Sequence, residues 1–349
     1  MAKEHKNVCL VTTVYSFFLY LLIKEYDEND IFIFTAWFPK EVSKNIPHIS
    51  TPPVGFRYGA KMYSTDSIKG ILMNIIGYCR YFYGYIKLRI LLFIKTFNKD
   101  VSIYGHAQSP FSFMFYENED SNIIEDGLMN YSPNICETHK INPIIDKFLH
   151  LCGIYFLNAN EALGSHEKIK KVYLTREFDH PLIKDKVEVI DMEKKWNSIS
   201  EDKQKEILTI FNVNLDKINF DGKTALILTQ PFFEDNITSF EDELKIYDEY
   251  FDKFKDYSII IKPHPRDEKD YNKIYPNVNI IDKHFPIELL TLINIKPTVV
   301  CSAVSTALLN FKDSEIYVYQ GELKNERLKK IRKELLKIIN SKSKKITIQ

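Results

Sequence analysis

Short apolar runs alternate with amphipathic stretches along almost the whole chain. Asn7–Thr13, Asp30–Thr35 and Asp100–Tyr104 have the β-branched and aromatic richness of buried strands, and Asn122–Ile124 is a shorter one. Ile154–Leu157 and Lys170–Tyr173 are further strand candidates. Ser16–Tyr26 predicts a helix after the first strand, which makes the start of a βαβ unit. A charged stretch at Asp179–Asp191 with Pro181, then a polar helix over about Ser200–Phe211, reads as an inter-domain region. Beyond it the alternation resumes. Lys223–Thr229, Tyr257–Lys262, Val278–Ile281, Thr298–Cys301 and Glu315–Tyr319 predict strands. Glu241–Lys255 predicts an amphipathic helix with Leu244, Tyr247, Tyr250, Phe251 and Phe254 at helical spacing, and Pro286–Asn294, Ser302–Phe311 and Lys324–Ser341 predict three more.

Strand–helix alternation in both halves predicts an α/β protein with two Rossmann-like domains facing a central cleft, at residues 1–180 and 181–349. A length of 349 residues suits two domains. Hydrophobic content of 45% and charged content of 27% are those of a globular chain. With 47 basic and 47 acidic residues, the balance argues against binding to nucleic acid through bulk charge, and any basic patch must be local. Cys9, Cys79, Cys136, Cys152 and Cys301 are scattered, without a CxxC pair, so neither a disulfide framework nor a zinc site is indicated and a cytosolic chain is expected. No signal peptide is evident, and Phe17–Ile23 is too short to span a bilayer.

Ile68–Phe97 changes the picture. This stretch, an insertion near 67–97 in the first domain, mixes Ile, Leu, Phe and Tyr with Arg80, Lys87, Arg89 and Lys95 and contains no acidic residue. Such a pattern suits either a pair of core-facing helices with solvated lysines or a helix lying in a membrane interface.

Four groups of polar residues fall at strand-to-loop junctions, where open α/β sheets place their ligands. Glu125-Asp126-Gly127 puts two carboxylates before a glycine that permits a sharp turn. Thr229-Gln230-Pro231, with Glu234 and Asp235 beyond, follows an apolar strand. Lys262-Pro263-His264-Pro265 ends another strand in a histidine held between two prolines, with Lys262 and Arg266 as a basic flank for an anion. Ser302, Ser305 and Thr306 cluster at the start of the predicted Ser302–Phe311 helix, a position that suits phosphate as well as an ordinary serine cap. The loop after Asp100–Tyr104 carries His106 and Gln108, either a substrate contact or a polar surface turn. No GxGxxG and no GxxxxGK[ST] is present, which argues against NAD enzymes and P-loop NTPases. A phosphate-binding histidine turn with carboxylates available as base is equipment for glycosyl transfer.

The set Ile-Glu-Asp-Gly-Leu at Ile124–Leu128, Leu-Thr-Gln-Pro at Leu228–Pro231, Lys-Pro-His-Pro-Arg at Lys262–Arg266 and Ser-Ala-Val-Ser-Thr at Ser302–Thr306 resembles the bacterial sialyltransferases of glycosyltransferase family 52. Each motif alone is common; the four in this order are specific as a set, and the resemblance covers most of the chain. It implies a GT-B fold and an inverting enzyme that moves N-acetylneuraminate from CMP-Neu5Ac to a galactose-terminated glycan of a surface lipooligosaccharide or capsule. His264 would assist departure of CMP, with Ser302, Ser305 and Thr306 on its phosphate. Glu125, Gly127, Gln230, Lys262, Pro263, Pro265, His106 and Gln108 complete the expected binding set. The resemblance puts the general base at Asp235, with Asp126 close behind and Asp242 a weaker contender.

A nucleoside monophosphate leaves with less charge than a diphosphate. Together with the lack of a DxD motif in a donor-binding context, this predicts that no metal and no cofactor is needed. The resemblance further implies a cytoplasmic homodimer, peripheral at the inner face of the plasma membrane. Hexosyl transfer within family 52, sugar-nucleotide epimerisation and a non-catalytic glycan- or lipid-binding role are the alternatives.

Overall fold

The computed structural model describes residues 3–51, 68–106, 111–131, 164–213, 220 and 222–342. Two compact units divide the chain, Met1–Ile210 and Phe211–Gln349. The division falls after Ile210 instead of after residue 180, because the charged stretch expected to be a linker contributes a strand. Val187–Val189 pairs in parallel with Ile169–Leu174, and the Glu201–Ile210 helix that follows is tied back by Asn45 Nδ2 to the Ile210 carbonyl at 2.9 Å and by Lys203 Nζ to the Tyr26 carbonyl at 2.7 Å.

The first unit holds a seven-stranded parallel sheet made of β1 (His5–Val11), β2 (Ile31–Phe34), β3 (His48–Ser50), β4 (Asp100–Gly105), β5 (Ser121–Ile124), β6 (Ile169–Leu174) and β7 (Val187–Val189), in the order β3-β2-β1-β4-β5-β6-β7. Every residue of β2 and β5 is buried, as a parallel sheet covered on both faces requires. Residues 154–157, a strand candidate, lie outside the described residues, as do Cys136 and Cys152. The helix Val14–Lys24 starts earlier than its apolar run alone indicates, because Thr13 caps it. The Thr13 side chain accepts from the Ser16 amide and the Ser16 side chain answers the Thr13 amide. Phe17, Phe18, Leu19, Tyr20 and Leu21 on this helix are fully buried. Each contributes about 1.5–3 kcal/mol of burial at the scale of large apolar side chains.

Ile68–Thr96 is one continuous helix of 29 residues, not a pair. Tyr85, Leu88 and Leu92 enter the core against Phe111 and Phe113, and Arg89 is bonded to Glu117. The opposite face leaves Tyr83, Ile86, Ile90, Phe93 and Ile94 exposed. No described helix is long and apolar enough to cross a membrane.

The second unit is built on β8 (Thr224–Leu228), β9 (Ser258–Lys262), β10 (Asn279–Ile280), β11 (Val299–Ser302) and β12 (Glu315–Val318), all parallel in the order β10-β9-β8-β11-β12. The helix Phe240–Lys253 buries Ile246, Tyr247 and Tyr250, on the face its spacing predicts. Tyr250 makes edge contacts with Tyr317 and Tyr319. The helix expected over Ser302–Phe311 is shorter: β11 runs through Ser302, and only Thr306–Asn310 coils, as a 3₁₀ turn capped by Ser305.

In both sheets the chain reverses its direction of winding between two neighbouring strands, β1 and β4 in the first unit and β8 and β11 in the second. At such a point the loops leave to opposite sides and open a crevice at the carboxyl ends of the strands. Gly105 closes β4 at the first of these points with φ of +132°, and a Cβ there would lie 2.2 Å from the Leu10 carbonyl oxygen. Gly127 also has positive φ, +125°, but no atom within 4 Å of a Cβ. Gly105→Ala is therefore expected to cost about 3 kcal/mol or more, or to prevent folding. Gly127→Ala should cost only the backbone term of about 1–2 kcal/mol. Urea denaturation of the two variants checks this, and equal losses would contradict the steric account.

Candidate active-site residues of the two units

The first unit gathers its polar residues at the ends of β1, β4 and β5. Asp126, directly after β5, accepts a hydrogen bond from the Thr13 hydroxyl and one from the Thr12 hydroxyl at 3.3 Å. Its backbone amide donates to Asn130 Oδ1 at 2.8 Å, which holds the turn. His106, after β4, is buried and places Nε2 3.9 Å from Asp126 Oδ2. Thr13 is the cap of the Val14–Lys24 helix, so the Asp126 carboxylate also lies at the positive end of that helix.

Glu125 does something different. It is buried and receives the Thr175 amide at 2.6 Å, the Thr175 hydroxyl at 2.8 Å and the Tyr131 hydroxyl at 2.6 Å. These bonds all fall on Oε2, with the Tyr15 hydroxyl 3.3 Å from Oε1, and join the ends of β5 and β6 at the turn that carries Asp126. Gln108 lies outside the described residues.

In the second unit, β9 ends in the Lys262-Pro263-His264-Pro265 turn. The Arg266 amide donates to His264 Nδ1 at 3.1 Å. An imidazole whose Nδ1 accepts carries its proton on Nε2 when neutral. Burial pushes the imidazole pKa down to about 3, helped by the positive charges of Arg266 and Lys262. His264 is thus a neutral side chain whose Nε2–H is a hydrogen-bond donor.

Lys262 is not a surface partner for an anion. Its ammonium is buried and donates to the carbonyls of Pro263 and Lys283, both at 2.9 Å, and burial lowers its pKa to about 8. Pro263 is buried beneath the turn and Pro265 is exposed on it. Gln230, half-buried after β8, donates through Nε2 to the Thr229 carbonyl at 2.8 Å, while its backbone amide donates to the Tyr247 hydroxyl oxygen at 3.1 Å.

The hydroxyl cluster splits. Ser302 is fully buried and donates to the Leu228 carbonyl at 2.9 Å, pinning β11 to β8. Ser305 and Thr306 are half-buried at the carboxyl end of β11. Ser305 spends its oxygen on the Ala307 amide at 3.3 Å.

The remaining carboxylates separate by their partners. Asp235 pairs with Arg266, the arginine of the histidine turn. Asp242 lies between Lys245 and Lys324 at 2.9 and 2.7 Å, and those two hydrogen bonds hold its pKa down at about 2. Among the described residues Asp126 has no Lys or Arg side chain on it. Thr12, Thr13 and the Arg266–Asp235 pair are partners that motif reading missed. The one available signal was a threonine pair directly after an apolar strand, which reads equally as the last residues of that strand.

A model of glycosyltransferase family 52 matches residues 79–326. An uncharacterized protein of Haemophilus influenzae is 29% identical over 225 residues, 63% of this chain and 69% of its own length. The α/β-galactoside α-2,3-sialyltransferase of Photobacterium phosphoreum aligns with 95% of this chain and 96% of its own at 12% identity, with a TM-score of 0.55. The GT-B domain of the Photobacterium damselae sialyltransferase aligns over 97% of both chains at 11% identity and a TM-score of 0.53. The UDP-GlcNAc 2-epimerase of Methanocaldococcus jannaschii aligns with 98% of this chain and 93% of its own at 14% identity and a TM-score of 0.51. At such identities the likeness is one of fold, which is GT-B, and the epimerase shows that this fold also serves another reaction. The family match runs through both units, and the chain belongs to glycosyltransferase family 52.

Proposed function

We propose that this glycosyltransferase is an inverting sialyltransferase that takes N-acetylneuraminate from CMP-Neu5Ac to a galactose-terminated glycan of a bacterial surface lipooligosaccharide or capsule. The observation that carries the reading is His264, a neutral imidazole with Nδ1 occupied and Nε2–H available, at the carboxyl end of β9. Family membership and the sialyltransferases among its structural relatives support it.

In this reading a carboxylate takes the proton of the acceptor hydroxyl as that oxygen bonds to the anomeric carbon. The bond from that carbon to the phosphate oxygen breaks on the opposite side, and CMP departs. His264 Nε2–H stabilises the charge that develops on the phosphate, and Ser305 and Thr306 bind the same group. A monophosphate demands little enough compensation that no metal is required. The geometry favours Asp126 over Asp235 as base. Asp235 is engaged by Arg266, Asp242 by two lysines, and a carboxylate held at a pKa of about 2 is a poor proton acceptor near neutrality. Asp126 is held by hydroxyls and lies beside His106.

The enzyme is further proposed to act as a peripheral protein at the cytoplasmic membrane face. On the Ile68–Thr96 helix, Phe93 is 65% and Ile94 66% exposed, and Arg80, Lys87 and Lys95 are exposed on the same helix. Apolar side chains with interleaved cations suit an anionic interface. A homodimer is part of this proposal, and sedimentation of the purified chain reports on it.

With CMP-Neu5Ac and a β-galactoside acceptor, His264→Ala and Asp126→Asn are each expected to lower kcat by about 10²–10⁴-fold. Asp235→Asn should cost less than Asp126→Asn, and the reverse order moves the base to Asp235. EDTA should leave turnover intact. UDP-sugars serve as control donors, and calorimetry showing no CMP binding would remove the reading.

The low pKa of His264 has a pH signature. Its folded value of about 3 lies below the free imidazole value near 6.5, so protons bind the unfolded chain more tightly. The stabilisation is complete above about pH 6.5 and fades as pH falls toward 3. Wild type should therefore lose more stability than His264→Gln between pH 7 and pH 4 in denaturation experiments. Parallel losses would show that the imidazole is not desolvated.

Flotation with phosphatidylglycerol vesicles at low salt should carry the protein upward, and Phe93→Ser/Ile94→Ser should reduce this several-fold. Absence of flotation at low salt would end the membrane proposal.

A further inference from the structure

Behind the His264 turn lies a buried chain of hydrogen bonds that motif reading does not identify. The His264 amide donates to Thr229 Oγ1 at 3.1 Å, and the same hydroxyl donates to Asp267 Oδ2 at 2.5 Å. The Asp267 amide returns to the His264 carbonyl at 2.9 Å and closes the turn. Thr229 is 2% and Asp267 1% exposed. Asp267 also accepts from the Tyr271 hydroxyl at 2.7 Å and the Lys269 amide at 3.1 Å. Beneath it the Lys269 ammonium lies 3.2 Å from Asp267, 3.0 Å from Glu243 and 2.8 Å from Glu234. Glu243 is itself fully buried and receives the Phe233 amide at 2.7 Å and the Tyr247 hydroxyl at 2.8 Å.

These contacts have a direction. Lys269, Glu234, Glu243 and Tyr271 fix the Asp267 carboxylate from below. Asp267 then sets the rotation of the Thr229 hydroxyl, so that its proton points to the carboxylate and its lone pair to the His264 amide. Thr229 follows β8 and His264 follows β9, and one hydroxyl therefore links the ends of two strands at the point where the turn begins. With the His264 amide and carbonyl both engaged, the next residues curl so that the Arg266 amide reaches Nδ1.

We infer that Thr229 and Asp267 are positioning residues for His264, and that they select the imidazole tautomer with its proton on Nε2 by holding the Arg266 amide on Nδ1. The catalytic use of that proton rests on the sialyltransferase reading; the tautomer selection does not. Neither residue touches substrate in this scheme. Removing the Thr229 hydroxyl leaves a buried amide and a buried carboxylate each short of a partner, a far larger perturbation than the loss of one oxygen at the surface.

The test is ¹⁵N NMR of histidine-labelled full-length protein, where the two neutral tautomers have distinct ring-nitrogen shifts, combined with turnover on CMP-Neu5Ac. Wild type is expected to show His264 with its proton on Nε2. Thr229→Val, matched in shape, should give a mixture of tautomers and at least a tenfold fall in kcat, and Thr229→Ser should restore both to near wild-type values. Thr229→Ala removes the hydroxyl without placing a methyl group against Asp267; it predicts the same shift and serves if the valine variant does not fold. A folded Val or Ala variant with the wild-type tautomer would overturn the inference. A changed tautomer with unchanged turnover would uphold the positioning and count instead against the catalytic role given to His264.

Discussion

Parallel pairing of strands buried on both faces is the constraint from which the rest of this molecule follows. A parallel strand cannot return to its neighbour without a crossover, and each crossover places its loop at the carboxyl edge of the sheet. The central strands β1, β4, β5, β8, β9 and β11 deliver Thr12 and Thr13, His106, Asp126, Thr229, His264 and Ser305 to those edges. None of these residues is brought to its place by a helix face or by a long flexible loop. Their spacing is that of the strands, and the strands are held by an apolar core that tolerates little displacement.

The two edges solve the problem of presenting a polar group in different ways. In the first unit Glu125 is consumed as an anchor, and the next residue, Asp126, is left to hydroxyl donors. In the second unit the anchor is Lys262, whose buried ammonium ties the carbonyls of Pro263 and Lys283, and the presented group is His264 two residues on. In both cases a charged residue one or two positions before Asp126 or His264 is engaged within the fold, Glu125 by an amide and two hydroxyls and Lys262 by two carbonyls. That explains why neighbouring residues of one motif have opposite environments.

Among the described residues, most of the exposed large apolar side chains lie on one element. The Ile68–Thr96 helix keeps Tyr85, Leu88 and Leu92 for the core and leaves its other face apolar and cationic. Arg89 is the exception among its cations: it packs over the rings of Tyr85 and Phe113 and pairs with Glu117, so it belongs to the internal face. The core covers only one of the two apolar faces of this helix.

The sequence by itself determined the α/β class, most of the parallel strands, the amphipathic helix at Phe240–Lys253 and the histidine turn, because each is written in local periodicity or in prolines that forbid alternatives. It did not determine β7, whose Val-Glu-Val is too short and too charged to read as a strand until β6 lies beside it, and so the boundary between units came out early. The environments of Lys262, Ser302 and Asp235 were likewise decided only in three dimensions. A lysine at a strand end, a serine after a strand and an aspartate in a loop carry no local sign of whether a carbonyl or an arginine from elsewhere in the chain will meet them. Those partners lie 21, 74 and 31 residues away in sequence, and only the packed sheet brings them into bonding distance.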